Sequence, residues 1–295
     1  MAKLIDLQTA PVTKMLLLGD SGSGKTGALM SLVAAGYNVR VLDLDNGLQV
    51  LMDYFTNPKS IYRAARPGLW TAEQAASLAD RFDFETVTDK MRNVNGKLIP
   101  KAATVWQRSM KLLDGWNEFG PISTWTPKDV LVIDTLTFIS RAAMNFVLMM
   151  NSKLGERPEQ SHWGLAQQAI EGLLQTLYDD GVNCNVIVNC HMKLFGPDGG
   201  LQKWYPETLG KALSPNIGRY FNTVLQTKTS GTGAQERRKI VTSSSSGLEL
   251  KTTCPMRVKP EYDLATGLAE YFAEERAGAA PQAAQAPKPA EPASS

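Results

Sequence analysis

The chain has few of the residues that cross-link small proteins or bind metals, and it lacks the long apolar runs of membrane proteins. It contains three cysteines and two histidines in 295 residues, too few for a disulfide framework or a rich His/Cys metal centre. No stretch of about 18 apolar residues is present, so no transmembrane helix is expected. Residues 1–14 also lack the basic-then-apolar pattern of a signal peptide. We therefore expect a protein of a reducing, cytoplasmic compartment with no membrane partner.

The net charge of +2 conceals an uneven distribution along the chain. Residues 193–259 hold eleven Lys and Arg against four Asp and Glu, so the remainder is mildly acidic. A basic stretch in such a chain is typical of a protein that binds a polyanion on one face. A solvated surface with scattered charges explains the same count, and charge alone leaves both alternatives open.

Short apolar runs alternate with helical patterns, and a hydrophobic content of 43% is sufficient for a sizeable core. The runs predict strands at residues 15–18, 38–44, 130–133, 185–189, 223–228 and 239–242. The segments between them predict helices at residues 26–35, 104–119, 135–150 and 164–179. Strands that alternate with helices indicate an α/β fold with a mostly parallel central sheet and helices on both faces.

Other segments predict turns, loops and a tail. Residues 151–160 and 195–210 are polar or rich in Gly and Pro and predict exposed loops. The residues Asn93-Val94-Asn95-Gly96 predict a hairpin. We predict a core over residues 1–272 with an insertion at about 55–128, and a disordered Ala/Pro-rich tail over residues 273–295.

A glycine-rich octapeptide lies between the first predicted strand and the first predicted helix. It matches the P-loop pattern G-x-x-x-x-G-K-[ST], with Gly19, Asp20, Ser21, Gly22, Ser23, Gly24, Lys25 and Thr26. The glycines allow successive backbone N–H groups to turn around an anion, and the helix N-terminus adds its positive end. We expect Lys25 to reach the β- and γ-phosphates of ATP, and the Thr26 hydroxyl to bind Mg²⁺.

Carboxylates follow two further predicted strands. Asp134 stands where P-loop proteins place the carboxylate that holds Mg²⁺, and a cation there would explain a buried carboxylate. Many P-loop families continue with a catalytic Glu, but Thr135 follows here, so the base must come from elsewhere. Asp43 and Asp45 end a strand that we expect beside the P-loop strand, and Asp45 is our candidate to orient the attacking water. Turn or helix-capping roles are the alternative for this pair.

The strand at 185–189 is followed by Cys190-His191-Met192-Lys193. A polar side chain at this strand end can contact the γ-phosphate and transmit its presence to the following loop. His191 or Asn189 can fill this sensor role. A histidine that only satisfies the core is the alternative.

These segments, in this order, resemble the core of RecA-type recombinases. Residues 41–48 (VLDLDNGL) resemble the segment with the catalytic glutamate, which places Asp45 at that position, and residues 130–137 (VLVIDTLT) resemble the Mg²⁺-binding strand. SHWGLA at 161–166 resembles the end of the first DNA-binding loop of bacterial RecA. VIVNCHMKLFG at 186–196 resembles the strand that opens the second DNA-binding loop.

The resemblance spans about residues 15–253, and a core-only RecA-like chain of this size resembles the phage-encoded ATPases that are grouped with single-strand annealing proteins. It implies three kinds of partner, namely single-stranded DNA, further copies of the chain and a single-strand DNA-binding protein. Residues 237–242 (RRKIVT) resemble the last core strands of that family. By this analogy Arg238, Lys239 and Lys251 would contact the nucleotide of a neighbouring subunit.

Two segments combine basic with aromatic side chains, as proteins that bind single strands without reading sequence do. These residues are Lys153, Arg157 and Trp163 in the first segment, and Lys203, Trp204, Tyr205 and Lys211 in the second. Packing of Trp204 and Tyr205 on their own domain is the alternative.

We therefore expect an ATP-binding, RecA-like protein that binds single-stranded DNA and promotes annealing or homologous recombination, encoded by a phage. A P-loop motor or loader in DNA replication or repair is the main alternative. A small-molecule kinase is a further class, although no compact Arg cluster of the kind found in kinase lids follows the core. A nucleotide-gated binding module with little turnover also stays open, because Asp45 replaces the expected glutamate.

Overall fold

The computed structural model describes residues 12–51, 77–196 and 202–277. Predictions for residues 1–11, 52–76, 197–201 and 278–295 lie outside the described residues; they concern the start of the insertion, part of the second loop and most of the tail. No helix in the described ranges is both long and apolar enough to span a membrane.

The described strands form one large sheet and two hairpins. They are β1 (Lys14–Leu18), β2 (Asn38–Asp43), β3 (Phe82–Thr86), β4 (Met91–Val94), β5 (Lys97–Pro100), β6 (Asp129–Asp134), β7 (Asn185–Cys190), β8 (Met192–Phe195), β9 (Lys203–Pro206), β10 (Thr223–Ser230), β11 (Arg237–Val241) and β12 (Glu261–Asp263). The large sheet has the order β12-β11-β10-β1-β7-β6-β2-β3. Its strands from β10 to β3 are parallel, whereas β11 and β12 are antiparallel additions at one edge.

The helices connect these strands and cover the sheet. They are α1 (Lys25–Ala28), α2 (Met30–Ala34), α3 (Val105–Asp114), α4 (Leu136–Met150), α5 (Gln160–Tyr178), α6 (Gly210–Leu213) and α7 (Gly267–Arg276). Short 3₁₀ helices occupy Asn117–Phe119, Ile122–Thr124, Ser214–Tyr220 and Gly233–Gln235.

The alternation of side chains along the central strand divides the core into two layers. Leu16 and Leu18 of β1 pack with the buried residues of α3, α4 and α5 on one face. Met15 and Leu17 pack with α1, α2 and α7 on the other face. Because both faces are covered, the central strands β1, β6 and β7 are apolar along most of their length, as in other buried parallel sheets. The predicted α/β fold, with a mostly parallel sheet and helices on both faces, is confirmed.

One prediction about the sheet was wrong. The strand that carries Asp43 does not lie beside the P-loop strand, because β7 and β6 separate β2 from β1. A local pattern identifies a strand but not its neighbours, and sheet order depends on how the crossover helices pack. Asp43 nevertheless pairs in register with Asp134, so the carboxyl ends of β2 and β6 meet.

Part of the predicted insertion belongs to the sheet. β3 pairs with β2 in parallel and forms the edge of the sheet, although its sequence FDFET is too polar to be recognised as a buried strand. The predicted hairpin at Asn93–Gly96 is confirmed by β4 and β5, with positive φ at Asn95 and Gly96, as two-residue hairpin turns require. The predicted start of the tail at residue 273 falls inside α7, which continues to Arg276.

Both predicted DNA-binding loops contain regular structure. Residues 192–195 and 203–206 form the antiparallel hairpin β8–β9 where the sequence predicts only a loop. α5 begins at Gln160, before the predicted start at residue 164. A reciprocal cap explains the earlier start, because Glu159 donates its N–H to His162 Nδ1 at 3.0 Å and its side chain accepts the N–H of residue 162.

Candidate nucleotide site

The P-loop turns tightly between β1 and α1. Gly24 has φ +100, in the left-handed region, and a Cβ built there would lie 2.5 Å from Leu264 Cδ2. A Cβ at Gly19 would lie 2.2 Å from Thr227 Oγ1. Ser23 Oγ and Thr227 Oγ1 lie 2.7 Å apart and share a hydrogen bond. The glycines at these two positions are therefore required by contacts with the neighbouring strand β10 and with the segment after β12, as well as by backbone geometry.

Lys25, Thr26 and Asp134 are brought together at the carboxyl end of the sheet. The Lys25 ammonium donates hydrogen bonds to the carbonyl oxygens of Gly19 at 2.8 Å and Asp20 at 2.9 Å. The Thr26 hydroxyl donates to Asp134 Oδ2 at 2.7 Å. Burial lowers the pKa of Lys25, while the nearby Asp134 carboxylate acts in the opposite direction.

Asp134 retains binding capacity. Burial raises its pKa above the usual range, and the hydrogen bond from Thr26 only partly opposes this effect. Among the described residues, its Oδ1 atom is buried without a hydrogen-bond partner. A buried acceptor without a partner costs about 1–3 kcal/mol, so this oxygen fits a cation. The donor set of Thr26 and Asp134 is therefore suited to Mg²⁺ bound together with a nucleotide.

Asp45 lies within electrostatic reach of two further carboxylates. Burial, together with the negative charges of Asp134 and Asp43, raises the pKa of Asp45 to about 6. Asp43 itself is buried and accepts hydrogen bonds from the Thr86 hydroxyl at 2.9 Å and from the Gly47 N–H at 3.3 Å. Asp43 is thus held by Thr86 and Gly47, whereas its neighbour Asp45 lines the cleft.

His191 and Asn189 occupy the end of β7, next to the phosphate loop. Burial lowers the pKa of His191, and the positive charge of Lys25 adds to the effect. The His191 N–H donates to Thr137 Oγ1 at 3.3 Å, and its carbonyl accepts the Glu207 N–H at 2.7 Å. In the described part of the chain, both amide atoms of Asn189 are buried without a hydrogen bond of normal geometry.

A cleft of about 290 Å³ joins these groups. Its lining consists of Ser21, Gly22, Gly24, Lys25, Thr26, Gly27, Asp45, Gly47, Val50, Asp134, Thr135, His191 and Arg238. The sequence argument did not foresee Arg238 at this position, since β11 lies more than two hundred residues after the P-loop. An Arg in the last strands was the available signal, but its sequence position does not specify which subunit's site it faces.

The other two predicted trans contacts lie away from the cleft. Lys239 pairs with Glu261 of β12 at 2.5 Å. Lys251 forms an isolated bridge with Val224 of β10, and burial lowers its pKa. A contact of these residues with a neighbouring subunit stays a prediction.

The hairpin β8–β9 distributes the second group of predicted DNA-binding residues over two faces. Register pairs Lys193 with Tyr205 and Phe195 with Lys203, so these four side chains share one face. The rings of Phe195 and Tyr205 are 6.1 Å apart, and Lys193 Nζ is 5.7 Å from the Phe195 ring centre. We call this surface, formed by Lys193, Phe195, Lys203 and Tyr205, the basic-aromatic face.

Trp204 lies on the opposite face of the hairpin, across from Leu194. Its backbone N–H donates a hydrogen bond to the Gly247 carbonyl at 2.7 Å, and 39% of the residue is exposed. It borders a second cavity of about 570 Å³ that extends to the P-loop residues 20–23. Lys211 is exposed on α6, after the hairpin.

The first group of predicted DNA-binding residues lies in the loop before α5 and in its first turn. Lys153 is paired with Glu159 at 2.7 Å, and Arg157 is exposed. Trp163 is in α5 and packs partly buried against the core beneath that helix.

Three solved structures are similar to this chain over most of its length, at low sequence identity. The RadB recombinase structure matches with 16% identity and a TM-score of 0.46, covering 88% of this chain and 90% of that one. The flagellar accessory protein FlaH from Methanocaldococcus jannaschii matches with 10% identity and a TM-score of 0.39, covering 84% of this chain and 83% of that one. A KaiC-like protein from Pyrococcus horikoshii OT3 matches with 13% identity and a TM-score of 0.39, covering 85% of this chain and 84% of that one.

No curated protein sequence matches this chain significantly. A family model described as AAA domain, in contrast, matches residues 12–254 and so includes the P-loop, Asp134 and the end of β7. Since this match extends over most of the 295 residues, the chain belongs to the AAA domain family.

Proposed function

We propose that this protein is a RecA-like P-loop ATPase that binds single-stranded DNA and promotes the annealing of complementary strands, acting as a homo-oligomer with ATP and Mg²⁺. The observation that carries the proposal is the position of the basic-aromatic face. This face lies on a hairpin that begins one residue after His191, which lines the nucleotide cleft. A phage recombination system fits this activity.

The nucleotide part of the proposal uses residues that already converge. Lys25 would exchange the carbonyls of its own loop for phosphate oxygens, and Thr26 and Asp134 would hold Mg²⁺. The metal ion neutralises charge on the phosphates when it is bound. Asp45 would orient the attacking water, and its side chain is one methylene shorter than that of glutamate. We therefore expect slow hydrolysis.

The DNA part rests on the basic-aromatic face of β8–β9. Aromatic rings stack on bases of any sequence, and the ammonium groups of Lys193 and Lys203 can follow the phosphates. Lys203 is paired with the exposed Glu249 at 2.8 Å, and an exposed ion pair of this kind contributes little and is readily exchanged. Sequence-independent recognition of single strands is the property that annealing requires.

The coupling between ATP and DNA would pass through the base of the hairpin. The carbonyl of His191 accepts a hydrogen bond from the Glu207 N–H, and the Thr137 hydroxyl donates one to the Glu207 carbonyl at 3.0 Å. A phosphate that displaces the His191 ring would therefore shift both ends of the hairpin. Asn189, whose amide faces Asp134 but makes no hydrogen bond of normal geometry among the described residues, is the second group able to detect the phosphate.

The test measures annealing of complementary strands and ATP hydrolysis, each with ATP, with ADP and without nucleotide. We expect ATP to change single-strand affinity and to accelerate annealing, and His191→Ala to retain DNA binding but lose its response to ATP. Directional unwinding of a duplex with a single-stranded tail would favour the motor or loader alternative. Nucleotide binding with no DNA binding under any condition would exclude annealing.

A further inference from the structure

Arg238 occupies an unusual position for a residue of the sheet edge. It belongs to β11, where it pairs with Thr229 of β10. Its side chain reaches the start of α1, because a Cβ built on Gly24 would lie 3.3 Å from Arg238 Cδ. Arg238 also lines both the nucleotide cleft and the second cavity on the other side of the P-loop. The guanidinium therefore stands between the two spaces that border the phosphate loop.

The guanidinium is only partly engaged. Its Nη2 atom pairs with Glu236 Oε1 at 2.9 Å, and the side chains of Arg238 and Glu236 are 37% and 41% exposed. Within the described residues, the Nε atom of Arg238 is buried without a hydrogen-bond partner. An exposed pair contributes little to stability, whereas a guanidinium forms strong, often bidentate bonds with phosphate. A phosphate in the cleft can thus compete with Glu236 for Arg238.

We infer that Arg238 binds the phosphates of the nucleotide held by its own P-loop, and that Glu236 holds this guanidinium when no nucleotide is bound. The inference rests on the proposed nucleotide binding and adds a contact within one subunit. The neighbours of Arg238 along the strand differ from it, since alternation places Arg237 and Lys239 on the other face and Lys239 pairs with Glu261. Arg238 is the residue of this basic run that faces the chain's own loop.

Binding of a fluorescent ATP analogue to the full-length protein tests this contact. We expect Arg238→Ala to weaken binding roughly ten-fold or more, the size of a lost hydrogen bond between charged groups. Glu236→Gln should strengthen binding several-fold, because it removes the competing carboxylate. Arg237→Ala, an exposed position on the same strand, is the matched control and should bind as the wild type does. Arg238→Lys keeps the positive charge but loses the bidentate guanidinium, so it separates the effect of charge from that of bidentate binding. It also provides a test if Arg238→Ala folds poorly.

A mixing experiment distinguishes a contact within one subunit from a contact between subunits. Lys25→Ala protein cannot hold phosphates but still offers its Arg238 to a neighbour. If Arg238 acts within its own subunit, adding Lys25→Ala protein leaves the affinity of Arg238→Ala protein unchanged. Restored affinity in the mixture would overturn the inference. If the wild type binds nucleotide and Arg238→Ala binds equally well, this inference alone fails; if the wild type binds none, the proposed function fails with it.

Discussion

The two ends of the central sheet both bury polar side chains, but most of the buried polar atoms without a partner lie at one end. At the amino end, Asp129 accepts hydrogen bonds from Arg40 at 2.7 Å and from both the N–H and the hydroxyl of Thr126. Asn185 donates to the carbonyls of Pro127 and Asp129 at 2.8 and 3.1 Å. These groups are structural, and the exception at this end, Arg40 Nε, lies 3.9 Å from a carboxylate oxygen of Asp83.

At the carboxyl end, several buried atoms make no hydrogen bond of normal geometry in the described ranges. They are Asp134 Oδ1, Thr135 Oγ1 and both amide atoms of Asn189. Natural proteins pair nearly all buried polar atoms, so a group of unpaired ones demands an explanation. Ligands of open α/β sheets bind outside the carboxyl ends of the strands. The difference between the ends shows that polar groups at the amino end stabilise the fold, whereas polar groups at the carboxyl end are available to bind a ligand.

Breaking a pair at the amino end should produce the largest effect. Arg40→Ala leaves the Asp129 carboxylate buried without its cation, and such a change costs about 3–5 kcal/mol of unfolding free energy. Chemical denaturation measures it. Arg92→Ala, at an exposed position of β4, should stay within about 0.5 kcal/mol. A loss for Arg40→Ala as small as that of the control would show that this end is not stabilised by its ion pair.

The carboxyl end should gain its stability from ligand. At 100 times its Kd, Mg-ATP should add about 2.7 kcal/mol to the unfolding free energy. Lys25→Ala should abolish most of this gain, because the ammonium beside the Gly19 and Asp20 carbonyls is lost. Thermal unfolding with and without Mg-ATP measures the gain. An Arg40→Ala protein that still folds should keep it, and an equal loss in both variants would contradict the division between the two ends.

The hairpin at the carboxyl end should bind DNA through one face only. Tyr205→Ala should weaken binding of single-stranded DNA by about 1–3 kcal/mol, the usual size of a lost base stack. Leu194→Ala is the matched control, because Leu194 is 41% exposed on the opposite face. Fluorescence anisotropy of a labelled oligonucleotide measures both. If Trp204→Ala weakens binding and Tyr205→Ala does not, the DNA lies on the tryptophan face instead.

We expect the smallest effect from Asp134→Asn, measured as the change in unfolding free energy without ligand. The amide oxygen can still accept the Thr26 hydrogen bond, and a neutral group no longer suffers the burial that raises the pKa of Asp134. We expect a change below about 1 kcal/mol, together with loss of the Mg²⁺-dependent part of nucleotide binding. Denaturation without ligand measures the first quantity. A destabilisation as large as that of Arg40→Ala would mean that Asp134 is a structural residue.

Local patterns were sufficient for the fold class and for the centre of the site. The P-loop is eight consecutive residues between a strand and a helix, so its geometry follows from neighbours in sequence. Asp134 and His191 were located because each lies at or just after the end of an apolar strand, and parallel strands bring their carboxyl ends to one edge.

Tertiary structure decided what depends on contacts between distant segments. The separation of β2 from β1, the reach of Arg238 to Gly24 and the bond between Ser23 and Thr227 all join residues that no local window contains together. In the hairpin β8–β9, Trp204 and Tyr205 lie on opposite faces, because adjacent strand residues point to opposite sides. Sequence by itself identified the candidates for phosphate binding, because the P-loop pattern is local; packing of helices and strands determined which of them face the same cleft.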